Sequence, residues 1–207
     1  MIVKIFNGEY LKRLDNILQW QERDVFKQES VSQHSYKVSV FCRILLSEVF
    51  GREIREDVVR FQLDCVTYAM FHDWDESLIR RDLSHDMKYN NFNGTDIRKV
   101  VDELSSHLAT VEFIEFSSPD TVTPASEMLL SNLMSVDENV KVFVKFCDWL
   151  ALRFYIEREL SLGNQAFEET LKYCKIAMKD SAKKVQEMLC KEFSGIFTNY
   201  PVLSTLI

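Results

Sequence analysis

From Val31 to Phe50 the chain runs without a glycine or a proline, and His34, Val38, Phe41, Leu45 and Val49 recur at spacings of four, three, four and four. That period puts five side chains on one face of an α-helix and does not fit the alternation of a strand. Ser30 or Ser32 is placed to cap the helix, and Gly51 to end it. The whole chain follows the same logic. It has 5 Gly and 3 Pro in 207 residues, where average usage would give roughly three times as many. Few turn-formers mean few turns, and therefore long helices. The expected fold is all-α.

The other helices read from similar stripes. Residues 9–20 carry Leu11, Leu14, Ile17 and Leu18 on one side. A third helix runs from about Arg55 into His72 and Asp73, with Val58, Val59, Leu63, Val66 and Met70 as its apolar side. Residues 77–95 read as irregular, and 96 to about 116 as amphipathic helix. A loop and a short helix to Met134 follow. Asp137 caps a long helix to about Leu162, closed by Gly163, and a last helix spans about Gln165 to Phe193. No repeat, low-complexity segment or linker interrupts the chain, so one domain over residues 1–207 is expected, a helical bundle with its functional site between helices. With 46% apolar residues, 15 of them Phe, such a chain can bury a sizeable core. The apolar tail at 196–207 is expected to dock on that core.

The formal net charge of −7 argues against a surface for polymeric nucleic acid, which needs basic patches to displace counterions. A small anionic substrate held by local cations stays compatible with it. Lys4, Glu9, Lys12, Arg13 and Asp15 break up any signal-peptide core, and no apolar run reaches the ~18 residues of a membrane span. The five cysteines are odd in number and widely spaced, as expected of reduced thiols in the cytoplasm.

Against this background a few polar residues stand out. Only four histidines occur: His34, His72, His85 and His107. His34 lies on an apolar stripe. His72 and Asp73 end the third helix, and Asp75 and Glu76 follow within one turn. Like charges packed so closely repel, and burying one costs more still, so something must offset them. Asp148 sits in "VFVKFCDWLAL", which is otherwise apolar except for Lys145. His34, His72, Asp73 and Asp148 on three helices would make a mixed nitrogen and oxygen set, suited to a divalent transition ion with water in its open positions. Each residue also has an ordinary reading. His34 can be a core or cap-linked histidine, Asp148 can pair with Lys145 three residues earlier, and Asp75 and Glu76 can begin a solvated loop.

The order H…HD…D, with the segments "ESVSQHSYKV", "FHDWDESLIRRDL" followed by "KY", and "VKFCDWLALRFYIERELSLGN", resembles the HD-domain metal-dependent phosphohydrolases, and within them the bacterial 5′-deoxyribonucleotidases. The resemblance covers most of residues 9–164. It implies an HD-type bundle, a metal held by His34, His72, Asp73 and Asp148, and release of phosphate from deoxynucleoside 5′-monophosphates. Glu76 stands where the family has the acid that activates water, and Asp82 near its second acid at the phosphoester. Trp20 stands where a tryptophan crowds the sugar 2′ position, and Lys88 is a candidate phosphate contact. A homodimer is expected on the same basis. The ion would be one of Co, Mn, Zn, Ni or Fe.

Two departures bear on the substrate. The family's arginine before the tryptophan is Gln19 here, which removes a bidentate phosphate contact, with Arg23, Arg80 and Arg81 as candidate substitutes. The family's prolines before Lys-Tyr are replaced by "LSHDM", which adds His85 and Asp86. The competing functions are a dNTP triphosphohydrolase of the same fold and an inactive nucleotide-binding HD domain.

Overall fold

The structure is a computed structural model and describes residues 9–21, 23–73, 76 and 136–194. Five α-helices lie in these stretches: α1 (Glu9–Asn16), α2 (Val31–Phe50), α3 (Glu56–Phe71), α4 (Glu138–Ser161) and α5 (Glu168–Glu192), with a 3-10 turn at Gln165–Phe167. Among the described residues the only β contact is an isolated antiparallel bridge between Leu18 and Ser30. The expected irregular stretch at 77–95, the helices of 96–134 and the tail lie outside the described residues.

The chain divides into two compact units. Over the described residues the smaller holds 9–21, 23, 24, 28–33, 72, 73 and 76, and the larger holds 25–27, 34–71 and 136–194.

In the larger unit α4 packs along α5 and α3. Phe143, Phe146, Ile156, Met178 and Leu189 are fully buried there. Phe50, Phe61, Phe143 and Phe193 form an aromatic cluster, with Phe61 5.9 Å from Phe143 and 5.2 Å from Phe193 between ring centroids. Burial of this kind contributes roughly 1.5–3 kcal/mol per large apolar side chain. It also decides which side of α3 turns inward. The buried residues are Val58, Phe61, Cys65 and Ala69, whereas Val59, Leu63 and Met70 of the expected stripe are 49%, 65% and 49% exposed. Both stripes are apolar at helical spacing; Phe61 meets three other rings, and that favours its face.

Helix ends follow local chemistry. The Ser30 hydroxyl accepts from the Gln33 N–H (3.3 Å), and the Gln33 side chain accepts from the Ser30 N–H (3.1 Å), a reciprocal capping box that starts α2. Gly51 takes φ +58° just after α2, and Gly163 φ +97° just after α4, conformations a side chain would strain. Asp137 caps α4 by accepting from the Asn139 N–H at 2.7 Å. The first helix is shorter than its stripe implies. It stops at Asn16, because residues 17–19 turn to pair with 29–31: the Val31 N–H donates to the Ile17 carbonyl at 2.9 Å and the Gln19 N–H to the Glu29 carbonyl at 2.8 Å. Leu14, Ile17 and Val31 form the buried cluster of the smaller unit, and Leu18 is exposed.

Candidate metal centre

Within the larger unit, α2 and α4 bring a histidine and an aspartate together. His34 lies in the first turn of α2 and is 5% exposed. Its Nε2 is 2.9 Å from Asp148 Oδ1. The second oxygen of Asp148 accepts from Lys145 Nζ at 2.6 Å, one turn back on α4, and that ammonium also lies 5.0 Å from the centre of the Trp149 ring. Asp148 therefore bridges an imidazole and an ammonium. The partnership with Lys145 and the partnership with His34 are both real, one on each carboxylate oxygen.

The His34–Asp148 spacing fits an ion. Two ligand atoms each about 2.1 Å from a metal and at right angles lie about 3.0 Å apart. Nε2 and Oδ1 are a borderline nitrogen and a hard oxygen, a donor pair suited to divalent transition ions. The pair thus has the donor types and spacing with which a histidine and an aspartate could hold a metal ion.

Among the described residues no cysteine sulfur is grouped with these ligand atoms. Burial pushes the Cys147 thiol well above its ordinary value, reinforced by Cys42, Cys65 and the neighbouring Asp148 charge. Burial likewise raises Cys65 strongly and Cys174 to about 12.

His72 and Asp73 follow directly on the last residue of α3 and belong to the smaller unit. His72 Nε2 lies 3.2 Å from Asp73 Oδ2. The Glu76 N–H donates to the Asp73 carbonyl at 3.1 Å. Asp73 is 7% exposed and Glu76 fully buried, so Glu76 is not a solvated loop residue. Asp75 lies outside the described residues.

Trp20, in the same unit, has φ +62°, a left-handed conformation that is unusual for a bulky residue. The Arg23 N–H closes the turn on the Trp20 carbonyl at 2.9 Å, and the Arg23 guanidinium sits over the indole, 5.3 Å from its centre. Gln19 is half-buried beside it. Asp82, Lys88, Arg80, Arg81, His85 and Asp86 lie outside the described residues.

One polar residue of α4 went unnoticed among the candidates. Glu159 is fully buried. Its carboxylate accepts from the Phe26 N–H (2.8 Å), the Lys27 N–H (2.9 Å) and the Asn164 side chain (2.9 Å). Its trace in the sequence is the Glu-Leu of "ERELSLGN", part of the segment that carries the family resemblance, to which no role was attached.

Known proteins share the fold of this chain. A conserved hypothetical protein from Pyrococcus furiosus shares the fold at a TM-score of 0.59 and 18% identity, covering 100% of this chain and 98% of that one. An HD-domain phosphohydrolase from Listeria innocua aligns at a TM-score of 0.57 and 24% identity, covering 99% and 96%. A protein from Pyrococcus horikoshii aligns at 0.56 and 18%, covering 100% of both chains. No curated protein matches the sequence. One of these three proteins is named an HD-domain phosphohydrolase, and the chain shares its all-α fold. Within that class, the model of the family described as "5′-deoxynucleotidase YfbR-like" matches residues 7–197, and the chain belongs to this family. It is a phosphoric monoester hydrolase of the 5′-nucleotidase type.

Proposed function

We propose that the protein releases phosphate from deoxynucleoside 5′-monophosphates, using one divalent ion (Co, Mn, Zn, Ni or Fe) held by His34, His72, Asp73 and Asp148. The observation that supports this reading best is the part-buried His34–Asp148 pair at 2.9 Å, a spacing at which both residues can serve one ion. When bound, the ion supplies Lewis-acid chemistry: it lowers the pKa of water and neutralises phosphoryl charge. Glu76 is the general base that orients the attacking water and takes its proton. Asp82 is the acid that protonates the leaving ribose 5′-oxygen, since an alkoxide leaves poorly. Two carboxyl groups in one site need their pKa values held apart, and a cation near one of them does this.

Trp20 forms a wall at the C2′ edge of the sugar. Phosphate is gripped by Lys88 and, in place of the arginine missing at Gln19, by Arg23. What supports Arg23 is its planar guanidinium, already oriented by the indole beneath it.

The chain works as a single domain in the cytoplasm, a reading in keeping with its five free thiols. Among the described residues no helix is long and apolar enough to cross a membrane. The homodimer expected of the family would use the outer faces of α2 and α3. Tyr36, Val40 and Ile44 are exposed at helical spacing on α2, and Val59, Leu63 and Met70 on α3. Arg43 and Gln62 link the two helices through a 3.1 Å hydrogen bond.

The test is release of phosphate, pyrophosphate or triphosphate from a nucleotide panel with each divalent ion. Phosphate from dNMPs is expected; triphosphate from dNTPs would assign the substrate to the triphosphohydrolase class instead, and no release with a full equivalent of metal would make the protein a binding module. Trp20→Ala is expected to narrow the preference for dAMP over AMP, mainly by improving AMP. An apolar wall alone rejects an added hydroxyl by about 10²-fold, so equal kcat/KM for dAMP and AMP in the parent would remove the sugar role of Trp20.

A further inference from the structure

A buried carboxylate persists only where several donors meet it. Glu159 has three, two of them the backbone N–H groups of Phe26 and Lys27, more than 130 residues away in sequence. One turn back on α4, the Tyr155 hydroxyl donates to the Lys27 carbonyl at 3.0 Å. The backbone at 26–27 is therefore held through both N–H groups and a carbonyl. The Phe26 side chain is 66% exposed, so apolar packing of that side chain is not what holds the segment.

The stretch between residues 19 and 29 is thus fastened twice. At its ends Leu18 bridges Ser30, and the Gln19 N–H donates to the Glu29 carbonyl. Near its middle Glu159 and Tyr155 hold Phe26 and Lys27. Trp20 and Arg23 lie between the two fastenings. A tryptophan at φ +62° is strained, and such a conformation persists only where its surroundings over-determine it. Without the second fastening the loop would gain conformations in which Trp20 relaxes.

We propose that Glu159 is a positioning residue for substrate discrimination: by fixing the backbone at Phe26 and Lys27 it keeps Trp20 in its left-handed turn with Arg23 over the indole. The proposal rests on the nucleotidase reading and on the sugar role of Trp20. Glu159 touches neither substrate nor reacting atoms; it acts through the loop.

Glu159→Gln tests it. The substitution keeps the size of the side chain but turns one acceptor oxygen into an NH₂ facing a backbone donor. Two measurements are made on the metal-loaded protein: amide hydrogen exchange over residues 19–29, and kcat and KM for dAMP and AMP. Losing one hydrogen bond to a charged group is worth about tenfold or more, so exchange at Phe26 and Lys27 is expected to rise by at least that factor. The dAMP-to-AMP ratio of kcat/KM is expected to fall by about tenfold through KM, with kcat for dAMP within about threefold of the parent. Tyr155→Phe, which removes one hydroxyl and little volume, should move both readouts the same way by less, and it carries the test if Glu159→Gln does not fold. Faster exchange with an unchanged dAMP-to-AMP ratio would make Glu159 a purely structural residue and overturn the proposal. A parent that hydrolyses no nucleoside monophosphate would overturn the nucleotidase reading itself, a result distinct from an active, discriminating parent that Glu159→Gln leaves unaltered.

Discussion

Asp148 and Glu159 are two carboxylates on one side of α4, eleven residues and about 20° apart around the helix. Both are drawn inward, but they are satisfied in different ways. Asp148 is met by an imidazole and an ammonium, groups that carry their own charge equilibria and can yield a carboxylate oxygen to a cation. Glu159 is met by backbone N–H groups and an amide, which carry no removable charge and are fixed by the chain. Such donors occupy the lone pairs a metal would need. The difference lies in the partners: mobile charged side chains leave an acid available for chemistry, whereas fixed backbone donors do not. One face of one helix thus holds a proposed ligand at one point and a fastening three turns further on.

The largest expected effect comes from removing the ligand. Asp148→Asn should lose its metal and nearly all activity, measured by metal content and phosphate release on the purified protein, because an amide is a weak ligand and offers the His34 side only a neutral group. An Asp148→Asn protein that keeps a full equivalent of metal and normal turnover would dissolve the contrast with Glu159. Next comes Glu76→Ala, which should keep its metal and lose about 10²–10⁴ in kcat, the usual worth of a general base. Turnover equal to the parent's would require another base, with Asp75 the nearest alternative in sequence.

Glu159→Ala should act on stability. Each buried N–H left without an acceptor costs about 1–3 kcal/mol, and in a chain of this size a kcal/mol lowers Tm by roughly 2–4 °C. The effect has a pH signature. Burial alone would raise the Glu159 carboxyl, but Asn164, Phe26 and Lys27 outweigh it and leave the group below its ordinary 4.5. A lowered folded pKa means the stabilisation is complete above about 4.5 and is lost as pH falls through the folded value. The parent's stability should therefore drop more steeply than the variant's below pH 4.5 in thermal melts. Parallel curves would show that Glu159 is not ionised in the fold.

The smallest effect is expected from Lys145→Met. Lys145 competes with the ion for Asp148, so its removal should tighten metal binding by a few-fold, on the order of an exposed ion pair's worth of up to ~1 kcal/mol, in a chelator competition. Weaker binding in this variant would mean that the ammonium orients Asp148 for the metal.

Much of this was legible locally. The caps at Ser30 and Asp137 and the glycines at 51 and 163 set helix ends through bonds and backbone angles that span at most a few residues, so the residue types announce them. His34, His72, Asp73 and Asp148 stood out because each is costly in apolar company, and the resemblance in order and spacing joined them. The end of α1 at Asn16 was not legible, since residues 17–19 are drawn off by a bridge to residue 30, and a local apolar stripe says nothing of that partner.

What the sequence by itself determined was therefore the helical character of the chain, most ends of the described helices and the family, all of which depend on composition, short-range period or motif. Which stripe of α3 is buried, and which acid of α4 meets charged side chains and which meets backbone donors, only the tertiary structure decided. The α3 stripes are equally apolar until Phe61 meets the rings of Phe50, Phe143 and Phe193. Glu159 is one more surface-type residue until the chain from 133 positions earlier brings two N–H groups to it. Long-range partners set the free energy of a buried charge, and nothing near it in sequence records which partners will arrive.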